Sequence, residues 1–90
     1  MEPNSFLYYE RTSNPLEMSR IVLGLFRSFD GNSDERNSDI ENISAVGELA
    51  IRIEVRPGRV DAVMRNLANL SPFNGFELNE QLSTIHRQRA

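Results

Sequence analysis

Tyr8 and Tyr9 in SFLYYER, with Arg52 and Arg56 in AIRIEVRPGR, are the residues that could engage a nucleic acid. Aromatic rings on an open sheet face stack bases, and arginines neutralise phosphates. Thr12, Ser13 and Asn14 form a second group, directly ahead of an expected helix. Their hydroxyl and amide groups would sit beside unpaired helix N–H donors, at the positive end of the helix dipole. A small carboxylate ligand suits such a place; a simple helix cap uses the same residues. Arg56-Pro57-Gly58-Arg59 is a third group, because arginines at a helix start can hold an anion. A turn carrying two solvated arginines is the plainer account of that stretch.

Catalysis and metal binding find little to work with. The chain has no cysteine and one histidine, His86, near its last residues. No thiolate chemistry follows, and one histidine does not build a metal site. No serine stands in a G-x-S-x-G setting, so a Ser-His-acid triad is not expected. Glu10 and Glu17 read as surface charge and a capping partner rather than an acid–base pair. We therefore expect a non-enzyme with no cofactor and no metal. The net charge of −3 also weighs against general nucleic-acid or anionic-membrane binding. The aromatic-rich RNP1 pattern of RNA-recognition modules is absent, so RNA or DNA binding is one alternative reading, and a small structural adaptor with no small-molecule ligand is the other.

The elements that would position these groups centre on GELAIRIEVRPGRVDAVMRNLANL, residues 47–70. Leu49, Ile51, Ile53 and Val55 alternate with Ala50, Arg52, Glu54 and Arg56. Strand side chains point to opposite faces in turn, so one apolar face and one wet face are expected. Pro57-Gly58 ends the strand. Val60, Val63, Met64, Leu67 and Ala68 then recur at helical spacing, and Pro72 stops that helix.

Earlier in the chain, residues 5–11 suit a strand with aromatics on both faces: Phe6 with Tyr8, Leu7 with Tyr9. Neither face is plainly polar, so the strand belongs in the sheet's centre, with its inward face left open. Asn14 as cap, Pro15 at the first helical position and Glu17 as capping-box partner predict a helix start. Met18, Ile21, Val22, Leu25, Phe26 and Phe29 continue that helix. Residues 30–38, DGNSDERNS, read as a flexible polar loop. Residues 39–46 suit a short strand with Ile43 and Ala45 inward, or a helical turn. Phe76 and Leu78, alternating with Glu77 and Asn79, predict a last strand within 75–83. Residues 86–90 are expected to fray.

Ninety residues make a single domain, 1–90, with a core small enough that association would help it. The order strand, helix, strand, strand, helix, strand predicts an α+β, ferredoxin-like βαββαβ two-layer sandwich. Its antiparallel sheet would run 4-1-3-2, with both helices on one face. No apolar run approaches transmembrane length and no secretory leader is evident, so a cytoplasmic location without membrane attachment is expected.

The stretch Asn14-Pro15-Leu16-Glu17-Met18-Ser19-Arg20-Ile21-Val22 resembles the loop and first helix of ACT-type regulatory domains. LAIRIEVRPGRVDAVMRNLANL is similar to the closing strand and helix of the same family. In particular the chain resembles the short regulatory subunits of acetolactate synthase, over residues 5–80. The chain departs from that pattern in having Leu16 directly after the loop proline, where many ACT domains have glycine. The resemblance implies a regulatory or assembly subunit. It would dimerise or join a larger enzyme, and would sense a small amino acid at Thr12, Ser13 and Asn14.

Overall fold

The computed structural model describes residues 3–13, 16–30, 39–70 and 73–86, with 28–30 as backbone only. Six elements follow one another: β1 (Ser5–Arg11), α1 (Met18–Asp30), β2 (Ile40–Val46), β3 (Ala50–Val55), α2 (Val60–Ala68) and β4 (Phe76–Leu78). The fold is α+β, with a four-stranded sheet in the order β2-β3-β1-β4. Read from the β4 edge, that order is 4-1-3-2. Each neighbouring pair is antiparallel.

The alternation in β3 governs the core. Ile51, Ile53 and Val55 are fully buried, while Arg52 is exposed. The register of β1 settles which of its faces points inward. Leu7 pairs with Ile53 and Tyr9 with Ile51, so Leu7 and Tyr9 join the core. Phe6 and Tyr8 pair with Glu54 and Arg52 and take the other face. Ile21 and Leu25 of α1, and Val60, Val63 and Leu67 of α2, are buried in the same cluster as those strand residues. The spacing of these positions, three or four apart, puts them on one stripe of each helix. Met18, Val22, Phe26 and Met64 pack around the cluster's margin.

Several expectations need correction. Leu49 does not point into the core; it is 69 % exposed, in a turn closed by the pair Val46↔Ala50. Gly47 in that turn has φ +65°, a conformation that glycine adopts without strain. Ala50 is buried although it belongs to the outer face. It lies between Glu10 and Val46 in the sheet. In β2, Ile43 points inward but Ala45 is exposed. The register of β2 shifts between Ile40 and Asn42, and this bulge returns Ile40 to the core. Ala68 ends α2 on its exposed side.

Helix α1 begins at Met18 rather than Pro15, with the Glu17 carbonyl accepting from the Arg20 and Ile21 N–H groups. The proposed Asn14 cap, the Phe29 side chain, most of the polar loop, Pro72 and residues 87–90 lie outside the described residues. The last strand is shorter than expected. It ends at Leu78, a turn follows, and an isolated antiparallel bridge joins Thr84 to Phe6. Beyond that bridge, Ser5 and His86 are tied together. The Ser5 hydroxyl donates to the His86 carbonyl and accepts from its N–H, at 3.3 and 2.8 Å. Ser5 is fully buried.

Replacing Ser5 by alanine should therefore leave the His86 backbone without its partner. Loss of a part-buried hydrogen bond of this kind costs about 0.5–1.5 kcal/mol. Urea unfolding of the S5A chain should show a lower midpoint, and amide exchange at His86 should accelerate.

Candidate functional site

The turn that follows β1 is built from long-range hydrogen bonds. Gly75 lies beside it because β4 pairs with the end of β1, Arg11 opposite Phe76. The Thr12 N–H, Ser13 N–H and Thr12 hydroxyl all donate to the Gly75 carbonyl, at 2.5, 3.3 and 2.7 Å. Thr12 and Ser13 are exposed, but these donors face the protein's own backbone. A carboxylate arriving here would have to compete with Gly75 for them. Asn14, the third residue of the group, lies outside the described residues.

Arg11 sits between this turn and the start of α1. Its guanidinium donates to the Leu16 carbonyl and lies 6.0 Å from the Phe76 ring centre. Its Nε is buried with no partner among the described residues. Two open clefts flank it. One, of about 470 Å³, is lined by Arg11, Leu16, Glu17, Met18, Ser19 and Glu48. The other, of about 530 Å³, lies along Glu10, Thr12, Glu77 and Glu80. Arg11 has the same strand parity as Leu7 and Tyr9. Extending the alternation by one step would have placed it on the core side.

The nucleic-acid group is divided by the sheet. Tyr8 and Arg52 are direct cross-strand neighbours on the outer face. Tyr9 lies on the inner face, 8 % exposed, with its ring edge-on to Phe73 at 4.6 Å. Burial raises the Tyr9 pKa above that of an ordinary tyrosine, because the phenolate would lose its hydration. Arg56 lies beyond the end of β3, where it forms an ion pair with Glu41 at 2.8 Å.

Phe6 is the outer-face residue that the sequence reading passed over. Arg52 lies over its ring, 4.4 Å from the centroid. Such a cation–π contact contributes about 0.5–1 kcal/mol at an exposed site. It also covers a ring face that a base would otherwise stack on. The rest of this face is acidic. Glu10 and Glu77 stand directly opposite each other, and Glu54 accepts a 2.7 Å hydrogen bond from the Asn4 amide. The Asn79 amide donates to Glu10, which moderates the like-charge pair. A polyanion meets more negative than positive side chains here.

Arg59, the other half of the anion-binding group, is also engaged. It donates twice to the Asp39 carboxylate, at 2.8 and 3.2 Å. That hydrogen bond and the carboxylate's charge hold the Arg59 pKa above its usual value. With Glu41–Arg56, this pair clamps the start of β2 to the end of β3 and the α2 entry. Carboxylates from the same chain thus occupy both arginines.

No helix among the described residues is long and apolar enough to cross a membrane. No group of metal-ligating side chains is found among them. Comparisons with protein-family models, curated proteins and solved structures give no match to this chain.

Proposed function

We propose that this chain is a ferredoxin-like, ACT-like domain that works by associating with protein, as a non-catalytic regulatory or assembly subunit of a larger enzyme. The strand order and antiparallel pairing are compatible with a split βαβ arrangement. The shared core of α1, α2 and the inner sheet face fits two helices packed on one side. The observation that carries the reading is the β2 edge of the sheet, outside which no strand lies among the described residues. It ends in exposed Val46 and Leu49, which are 41 % and 69 % accessible. A sheet edge beside apolar side chains is a surface for protein contact. The acidic outer face and the covered Phe6 ring favour this reading over RNA or DNA binding.

The reading requires a stable assembly in solution. Light scattering of the purified chain, with affinity purification from its source, should reveal a homodimer or one constant partner. A monomer at every concentration, with nothing co-purifying, would remove the proposal. The amino-acid-sensing variant of it adds a separate requirement, ligand binding near Thr12, Ser13 and Asn14. Because Gly75 already accepts from Thr12 and Ser13, calorimetric titration with branched-chain and other amino acids should give no heat. Stoichiometric heat would instead establish the sensor.

A further inference from the structure

We propose that Asn74 is a self-modification site. The Gly75 backbone nitrogen attacks the Asn74 side-chain amide, ammonia is lost, and the isoaspartyl product frees the turn at Thr12 and Ser13. This modification is independent of the assembly reading.

Asn74-Gly75 is the one Asn-Gly pair in the chain. Asn74 is exposed, in the turn between Phe73 and β4. Gly75 has φ +88°, which a residue with a Cβ adopts only under strain, so the turn itself demands glycine there. With no side chain at position 75, nothing on that residue shields its nitrogen from the neighbouring amide. The Gly75 N–H donates no hydrogen bond among the described residues, and no partner of the Asn74 side chain is found among them. Neither reacting group is held away from the other by a bond of its own. The remaining asparagines are placed differently. Asn42, Asn66, Asn69 and Asn79 precede Ile43, Leu67, Leu70 and Glu80, whose side chains crowd the attacking nitrogen. Asn42 also lies inside β2 and Asn66 inside α2. The Asn79 amide is engaged by Glu10 and the Asn4 amide by Glu54. Asn14 precedes proline, which has no N–H to give up. Asn32 and Asn37, each followed by serine, lie outside the described residues.

Water is the sole co-reactant. The Gly75 nitrogen gives up its proton and bonds to the Asn74 Cγ. The Cγ–Nδ2 bond breaks, and the amide nitrogen leaves as ammonia with that proton. A cyclic imide then joins residues 74 and 75. Water adds to one of its two carbonyls. Opening at Cγ gives an ordinary aspartyl residue. Opening at the original backbone carbonyl leaves that carbon as a free carboxylate and routes the main chain through Cγ, the isoaspartyl form. That route lengthens the main chain by one C–C bond, about 1.5 Å, directly before Gly75. The Gly75 carbonyl accepts from the Thr12 N–H, the Ser13 N–H and the Thr12 hydroxyl at 2.5, 3.3 and 2.7 Å. A displacement of that size carries these contacts outside hydrogen-bonding range. It also spreads Phe73 and Phe76, whose rings stack at 5.2 Å on either side of the modified pair.

Incubation of the purified chain at mildly alkaline pH, followed by peptide mapping with fragmentation, tests this. Asn74 should gain the mass of an amide-to-acid conversion, with isoaspartyl linkage to Gly75. The Thr12 and Ser13 amides should lose protection against exchange in step with it. Asn74→Gln has a longer side chain that must close a larger ring, and should keep its mass and its protection under the same treatment. Fresh Asn74→Asp carries the charge without the extra backbone carbon, and should match the unaged chain at Thr12 and Ser13. An Asn74 that remains an amide over the time in which a free peptide of residues 71–78 converts overturns the proposal. So does conversion of another described asparagine ahead of Asn74. Protection at Thr12 and Ser13 that survives full conversion, or that fresh Asn74→Asp has already lost, overturns it as well.

Discussion

Replacing Ile53 with alanine is expected to destabilise the domain by about 2–5 kcal/mol, the range for emptying a well-packed isoleucine site. Ile53 is fully buried at the centre of β3, between Leu7 of β1 and Ile43 of β2. Its loss removes contact with both neighbouring strands at once. A domain of this size has a total stability of roughly 5–15 kcal/mol, so the variant should be close to unfolding. The informative control is Arg52→Ala, one residue away on the other face. Arg52 is exposed and loses only its contact with Phe6, so about 0.5–1 kcal/mol is expected. Denaturant unfolding of the two variants measures the difference. Similar effects at both positions would contradict the assignment of faces in β3.

Phe73→Ala is expected to cost about 3–5 kcal/mol. Phe73 follows α2, and its ring lies 4.6 Å from Tyr9, edge-on, and 5.2 Å from Phe76, stacked. Aromatic pairs in these geometries add about 0.5–1.5 kcal/mol beyond the area they bury. The ring joins the end of α2 to a central strand and to the short β4, which has few contacts of its own. Removing it should loosen β4 before the rest of the sheet. Amide exchange should therefore show Phe76–Leu78 losing protection ahead of Ile51–Val55. Simultaneous loss across the whole sheet would mean that β4 does not depend on this cluster.

The local alternations were legible because strand and helix periods are properties of a few consecutive residues. Ile51, Ile53 and Val55, the α1 stripe and the α2 stripe needed nothing else. Errors collected where one residue changed the count. The Gly47–Leu49 turn took Leu49 out of the strand, and the β2 bulge restored Ile40 to the inside while Ala45 stayed exposed. A bulge has no composition of its own in ENISAV; it becomes visible only when the strand is set against β3. Helix α1 likewise starts at Met18, although Asn14-Pro15 carries the stronger start signal. Propensity at a helix end is worth little against the path the chain takes to reach the core.

The candidate sites divide along the same line. By itself the sequence determined which residue types were on offer: arginines without lysine, no cysteine, two adjacent tyrosines and a polar turn before a helix. It also determined that Arg52 would stand on the wet face of its strand. Only the tertiary structure decided what each of these groups meets. It buried Tyr9 and left Tyr8 beside Arg52, set Arg52 on Phe6, and gave Arg56 and Arg59 to Glu41 and Asp39. It also turned the Thr12 and Ser13 donors toward Gly75, a residue far along the chain. The physical reason is one of range. Periodicity assigns a side chain to a face from its neighbours in sequence, whereas a hydrogen bond or ion pair needs a partner brought close by the packing of distant segments.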